Sequence, residues 1–416
     1  GIQGLGLSET NGALIRQQAP QIACEIQGES DGTWDDGDAV YFYAQAAKDW
    51  EFNQVEYQHA NNFYSSKTRF VIGQGTSPGL RVQAQKTALG AMNTTFKGTQ
   101  SYWFHDSDIV NPASMGRQWF GERLGNETLQ RSFSKYIPAT GTDSLEVTFQ
   151  VASFVTEDTG SLMVTVNGQP ARFSLRAIGG SYEPYYMLKG KLKVMASGNN
   201  FTINFKLNRP NTKSYVLVDW FEVKKWESTN IAVSATGFIR NNELAMYNQN
   251  AYFEFAPSLT AGLQIWNVSE SWQPKRMNVE DIGNGNRRLA IAKEEDHHTF
   301  IAFDKNASDF LKPVAKQLMS NQNKAFESPA ELIIITHPNF MEAAKELAEF
   351  RGKNPGYAVQ VVTPEDVYNE FSAGQQDLVA LRDFIRWRKK FGDASGKPLK
   401  YVTLFGAASF DMQDRV

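Results

Sequence analysis

Residues 399–416 read LKYVTLFGAASFDMQDRV. Tyr401 to Phe405 is an uninterrupted run of β-formers bounded by Gly406 and small residues, and such a run reads as a strand buried on both faces. In an open α/β sheet the loop after a strand of this kind is where sites are built. The segment GAASFD at 406–411 is therefore the first place to look for function.

Working upstream, the same grammar repeats. ELIIIT at 331–336 is a buried strand, and NFMEAAKELAEFRGK at 339–353 is a helix of strong helix formers with Gly352 as its stop. YAVQVV at 357–362 is a second buried strand. Thr363 stands as N-cap with Pro364 at the first helical position, and Glu365 and Asp366 in the first turn complement the helix dipole. Asp377 is the candidate N-cap of a further helix whose Leu378, Leu381 and Ile385 recur at helical spacing. Strand, helix, strand, helices, strand is the order of a parallel sheet with right-handed crossovers.

Before residue 331 the pattern is different. DAVYFYAQ, TRFVIG, SLEVTFQVASFV, SLMVTV, ARFSL, NFTINFKL and YVLVDWFEV are short β-type runs between turn residues, which suggests a sandwich or jelly roll. Phe201, Ile203, Phe205 and Leu207 alternate with Thr202, Asn204 and Lys206, placing one face on a core and one in water. Asn167 and Gly168 form the dipeptide that a type I′ hairpin turn requires. AYFEF, LQIWNV, RLAIA and TFIAF continue the β pattern after residue 229, and KPVAKQLMSNQNKAFESPA at 312–330 interrupts it. The expected organisation is multidomain: an all-β sandwich or jelly roll over 1–228, a β-rich continuation or second small β-domain over 229–325, and an α/β unit over 326–416.

Composition excludes several classes. The 416 residues carry a formal charge of −3, no field to gather nucleic acid or an anionic membrane. No apolar run approaches the roughly 18 to 20 residues of a membrane-spanning helix. GIQGLGLSET at the start has neither the basic nor the apolar region of a signal peptide, so export implies a signal removed upstream. Cys24 is the sole cysteine, which rules out an intrachain disulfide and a multi-cysteine zinc site.

The α/β stretch carries a family likeness. VYNEFSAGQQDLVALRDFIRW at 367–387 followed by LKYVTLFGAASFD resembles the opening of the peptidase domain of the gingipain-like cysteine peptidases, and within them the sortase of the Bacteroidetes type IX secretion system. THPNFMEAAKELAEFR at 336–351 sits where that family has its first strand and helix. Upstream, NPASMGRQWFGE at 111–122, DGDAVYFYAQ at 36–45 and IWNVSESWQPKRM at 265–277 resemble recurring stretches of the sortase's β-rich N-terminal region.

The resemblance implies a caspase-like α/β domain and a surface enzyme that cuts the C-terminal signal domain from secreted cargo and joins the new carboxyl end to lipopolysaccharide. It implies an exported protein at the outer-membrane surface or outside the cell, with cargo proteins and other secretion components as partners. The Cys nucleophile and His base would both lie downstream of the segment matching Phe410 and Asp411. The expectation for this chain is a non-catalytic portion with no catalytic residue, metal or cofactor of its own.

Cys24 in APQIACEIQGES reads as a small buried residue of a β-strand, and His337 as a turn residue that positions the next helix ahead of Pro338. His297 and His298 among Glu294, Glu295 and Asp296 could hold a metal, although a solvated turn accounts for them. Asp31, Asp35, Asp36 and Asp38 resemble an oxygen-rich calcium loop without the EF-hand spacing, and a β-turn is the better account. Arg117 and Glu122 bracket Trp119 and Phe120, which suggests a partly buried structural ion pair. Ser409 and Asp411 are the substrate-side candidates. Ala407 stands where the family commonly has a carboxylate, which argues against trypsin-like selectivity through that position. The alternative reading is a glycan- or protein-binding β-sandwich, some of whose nine Trp residues would stack on sugars.

Overall fold

The computed structural model of the chain describes residues 5–8, 21–74, 78–86, 90–112, 114, 118–126, 128–137, 144–179, 183–195, 199–227, 230–231, 236–257, 262–293, 298–307, 310–314, 324–407, 409 and 411–413. A hairpin of β1 (Lys48–Phe52) and β2 (Tyr57–Asn61) precedes the main sandwich. The sandwich strands are β3 (Thr99–Asp106), β4 (Gln130–Tyr136), β5 (Ser144–Ser153), β6 (Ser161–Val166), β7 (Gln169–Ser174), β8 (Tyr186–Met195), β9 (Asn200–Asn208) and β10 (Val216–Glu227). They form two antiparallel sheets ordered β3-β10-β5-β8 and β4-β9-β6-β7.

The alternation in β9 does what its sequence dictates. Phe201, Ile203, Phe205 and Leu207 are buried and meet Val147, Phe149, Val151, Phe221 and Val223 from the facing sheet in one core. Asn167 and Gly168 turn β6 into β7 with φ of 46° and 80°, and Val166 pairs with Gln169 across them.

Further strands β11 (Thr236–Arg240), β12 (Ala251–Pro257), β13 (Leu263–Asn267), β14 (Asn286–Ile291) and β15 (Thr299–Asp304) enclose a second core around Phe253, Ile265, Leu289 and Phe300. Earlier chain is built into it: Thr94–Lys97 runs parallel to β12, and Gln83–Ala84 pairs with Lys275–Arg276.

The α/β unit comprises β16 (Leu332–Thr336), α1 (Met341–Lys353), β17 (Val359–Val362), α2 (Pro364–Phe371), α3 (Leu378–Ala394) and β18 (Tyr401–Phe405). The strands are parallel in the order β17-β16-β18. Every residue of the central β16 is buried, with Leu332 and Ile334 toward α1 and Ile333 and Ile335 toward α2 and α3. Thr363 and Asp366 form a reciprocal capping box, and Asp377 accepts from Val379 N as the N-cap of α3. Helix α1 runs one residue past Gly352, ending on Asn354 as C-cap with Pro355 beyond. Arg388 of α3 donates to the carbonyls of Ala325, Glu327 and Ser328, fixing the segment that enters the unit.

One expectation is corrected. β18 is a strand, but it is not buried on both faces: Tyr401 is 52% and Leu404 72% exposed. The reason is its place at the sheet edge. The α2–α3 pair packs over β17 and β16, and Val402 and Leu404, which share that face in register with Ile333 and Ile335, lie beyond it. Among the described residues the other edge of β18 pairs with no strand.

Candidate functional site

The ends of the parallel strands carry the features on which chemistry could be built. Thr336, at the end of β16, is buried and its Oγ1 donates to Phe405 O at 3.1 Å, locking two strand ends side by side. The next residue, His337, is exposed, and its Nδ1 accepts from Asn339 N at 3.2 Å. It is the N-cap of the short helical turn Pro338–Phe340 that leads into α1. This is the helix-positioning role its sequence context suggests. Phe340 lies under Gly406: a Cβ on that glycine would meet the ring at 3.6 Å, and its φ of 149° is one that a side chain disfavours.

Past Gly406, Ala407 and Ser409 are exposed and Asp411 is buried. Asp411 N donates to Ser409 Oγ at 3.0 Å, and Asp411 Oδ1 accepts from Gln413 N at 3.2 Å. The two substrate-side candidates thus stand together at the strand ends, with the hydroxyl outermost and the carboxylate spent on the backbone turn. Gln376, from the turn between α2 and α3, donates to Met412 O at 2.7 Å and supports the loop from below.

The remaining candidates lie elsewhere. Cys24 sits in the strand Cys24–Gln27 with no exposed surface, and its thiol donates to Leu80 O at 3.7 Å. Burial pushes the thiol above its ordinary range despite Arg81 nearby, the opposite of an activated nucleophile. The aspartates of the 31–38 loop bind their own turn. Asp31 accepts from Thr33 N at 2.9 Å, Asp35 from Thr33 Oγ1 at 2.9 Å, and Asp38 from Asp35 N at 2.8 Å, while Asp36 is exposed. His298 stacks on Phe52 at 5.4 Å, whereas Glu294, Glu295, Asp296 and His297 lie outside the described residues. Among the described residues no three His, Cys, Asp or Glu side chains are grouped to share a metal ion. Glu122 pairs with His105, its oxygens 3.0 and 3.2 Å from Nε2, and Trp119 and Phe120 are buried beside it. Burial would raise the Glu122 carboxyl, but the bond from His105, a backbone N–H and the charges of His105 and Arg131 together hold it below the usual range. Arg117, the partner expected from sequence, lies outside the described residues.

A second polar cluster gives no sequence signal. His59 of β2 is buried with Nδ1 2.8 Å from Glu222 of β10 and Nε2 3.1 Å from Asp106 of β3, while Asn61 donates to the same Asp106 carboxylate. Burial pulls the imidazole down, and the bonds to Asp106 and Glu222 overcome it, lifting His59 to about 9. Asp219, buried in the same region with Gln150 as its donor, is pushed up to about 6, chiefly by burial. The three elements are far apart in the chain, and no local motif marks their meeting.

Residues 326–416 match the family model of peptidase family C25, a span that coincides with the α/β unit. Among solved structures, dimeric latent PorU from Porphyromonas gingivalis superposes with a TM-score of 0.81 at 19% identity, over 99% of this chain and 39% of that one. The chain therefore spans about two fifths of the length of PorU. Shorter matches include a carbohydrate-binding module of Cellvibrio mixtus lichenase 5A in complex with cellotriose, with a TM-score of 0.19 at 18% identity over 29% of this chain and 85% of that one. A score that low carries no shared overall fold. No curated protein sequence matches the chain. Residues 326–416 are similar to peptidase family C25, and the chain as a whole has the multidomain fold found in PorU.

Proposed function

We propose that the chain is the β-rich, non-catalytic portion and the first strands of the peptidase domain of a cell-surface sortase-type cysteine peptidase. Such an enzyme removes the C-terminal secretion signal of cargo proteins and attaches them to lipopolysaccharide. The observation that carries the reading is the coincidence of two boundaries: the C25 match covers the parallel α/β unit and leaves the sandwich outside it. Placement at the outer-membrane surface, and partnership with cargo and other type IX secretion components, follow from the same reading. No cofactor enters it. The buried Cys24 supports a nucleophile supplied by another part of the enzyme.

Deleting the gene in its source bacterium tests this. Cargo proteins are expected to keep their C-terminal domains and to lack lipopolysaccharide, by intact mass and by gel shift, and complementation should restore both. Cargo processed normally in the deletion strain sinks the reading. The purified 416-residue chain should hydrolyse no peptide, and hydrolysis abolished by Cys24→Ala would overturn the non-catalytic assignment.

A further inference from the structure

We propose that residues 62–69, where the chain leaves β2, are a positioning element for the loop that follows β18. Two contacts join parts of the chain that are remote in sequence. The Asn62 carbonyl accepts from Gln413 Nε2 at 2.9 Å, and Arg69 donates to the Gly374 carbonyl in the turn between α2 and α3. The two receiving segments are tied to each other by the Gln376 to Met412 bond. The β region therefore grips the strand-end loop directly and through its supporting turn.

The grip is rigid on the β side. Asn62 N donates to Ala47 O at 2.8 Å, while Asn62 Oδ1 accepts from Tyr64 N and Ser65 N at 2.9 and 3.0 Å. Thr68 Oγ1 donates to Gln45 O at 2.9 Å, closing the segment against the chain before β1. The hairpin behind it is bound to the sandwich by the His59 cluster, by Lys48 Nζ donating to Asp106 O at 3.0 Å, and by Lys224 on Glu56 at 2.8 Å. On the receiving side Gly374 has a φ of 78°, and a Cβ there would lie 3.2 Å from Arg69 Nη1, so the turn is shaped to let the guanidinium approach.

These contacts are hydrogen bonds between polar side chains and main-chain carbonyls, the kind that water can replace at modest cost. Such a junction sets where a loop stands more than whether the domains fold. The position of Ser409 and Asp411 is thereby set by the β region, and substrate or partner binding that moves residues 62–69 is transmitted to the strand ends. The inference rests on the reading of that loop as part of a peptidase cleft. Its test does not, because it reads loop order rather than activity.

The test is hydrogen–deuterium exchange by mass spectrometry on the 416-residue chain and its variants. In the double variant Arg69→Ala with Gln413→Ala, exchange is expected to rise about tenfold in peptides covering 406–413 and 373–377, the scale of losing one or two hydrogen bonds. Protection of β5, β9 and β10 should be unchanged, and Arg69→Lys alone should keep most of the loop's protection. Exchange in 406–413 within about twofold of the unsubstituted chain overturns the proposal. So does a rise shared equally by the sandwich strands, which would make the contact structural. If the loop loosens as expected but the deletion strain processes cargo normally, the positioning role stands and the sortase reading falls.

Discussion

The sandwich and the parallel sheet bury their apolar residues by different means. In the sandwich two sheets face each other, so inward residues of β5, β9 and β10 pack in one core, and Phe133, Phe149, Phe205 and Phe221 touch edge-on or tilted with centroids 5.2 to 6.2 Å apart. The parallel sheet has one fully enclosed strand, β16, and an edge strand of the same apolar character that is largely exposed. Two runs of similar β-forming, apolar character therefore have opposite burial, because burial belongs to the neighbours and not to the strand.

The largest effect that follows is in the sandwich. Phe221 has no exposed surface and contacts Trp103, Phe133, His105 and Phe201. Phe221→Ala is expected to cost about 3 to 5 kcal/mol by lost transfer and cavity formation, read as a lowered urea midpoint. A cost below about 1 kcal/mol would mean that the two sheets collapse freely onto each other.

Next is the His59 cluster, which fastens the β1–β2 hairpin to the sandwich. His59→Ala leaves Asp106 and Glu222 buried without their shared cation, at a cost of about 3 kcal/mol. The pH dependence has a definite sign. The folded state lifts His59 from 6.5 to about 9, so its contribution is complete below pH 6.5 and is lost as pH rises through 9, a fall of about 3 kcal/mol. Urea titrations at pH 6.5 and 9.5 should differ in the unsubstituted chain and converge in His59→Ala. Equal midpoints at both pH values in the unsubstituted chain would contradict the doubly bonded imidazolium.

Third is the α/β unit itself. Asp377→Ala removes the acceptor for Val379 N at the start of α3 and should cost about 1 kcal/mol, with Asp377→Asn recovering most of it. Thermal denaturation followed at a helical wavelength measures it, and a loss equal in the Asn and Ala variants would show that charge rather than capping is at work.

How far the sequence carried these readings varies with the kind of signal. Signals confined to a few neighbouring residues were legible: the Thr363 capping box, the Asn167–Gly168 turn, the alternation in β9, and the helix-positioning place of His337. What depended on which strand lies beside which was not. Periodicity cannot say whether a strand is central or at an edge, so the Tyr401–Phe405 run was assigned a buried environment that only β16 has. The pairing of Glu122 with Arg117 rests on a residue outside those described, and the bond that Glu122 makes to His105, 17 positions earlier, carried no signal in the sequence. The meeting of His59, Asp106 and Glu222 joins residues separated by 47 and 163 positions, and composition holds no trace of it.

The smallest expected effect is the sharpest test of the contrast. Leu404 occupies the register position opposite Ile335, which is buried, yet it is itself 72% exposed. Leu404→Ala should therefore change stability by less than about 0.5 kcal/mol, whereas Ile335→Ala, on the same face of the same sheet, should cost about 2 to 5 kcal/mol. The two side chains are nearly equal in volume, so intrinsic residue properties cannot account for a difference of that size. A Leu404→Ala loss near that of Ile335→Ala in matched urea titrations would mean that β18 is covered in solution, and that the edge seen here is occupied by further protein.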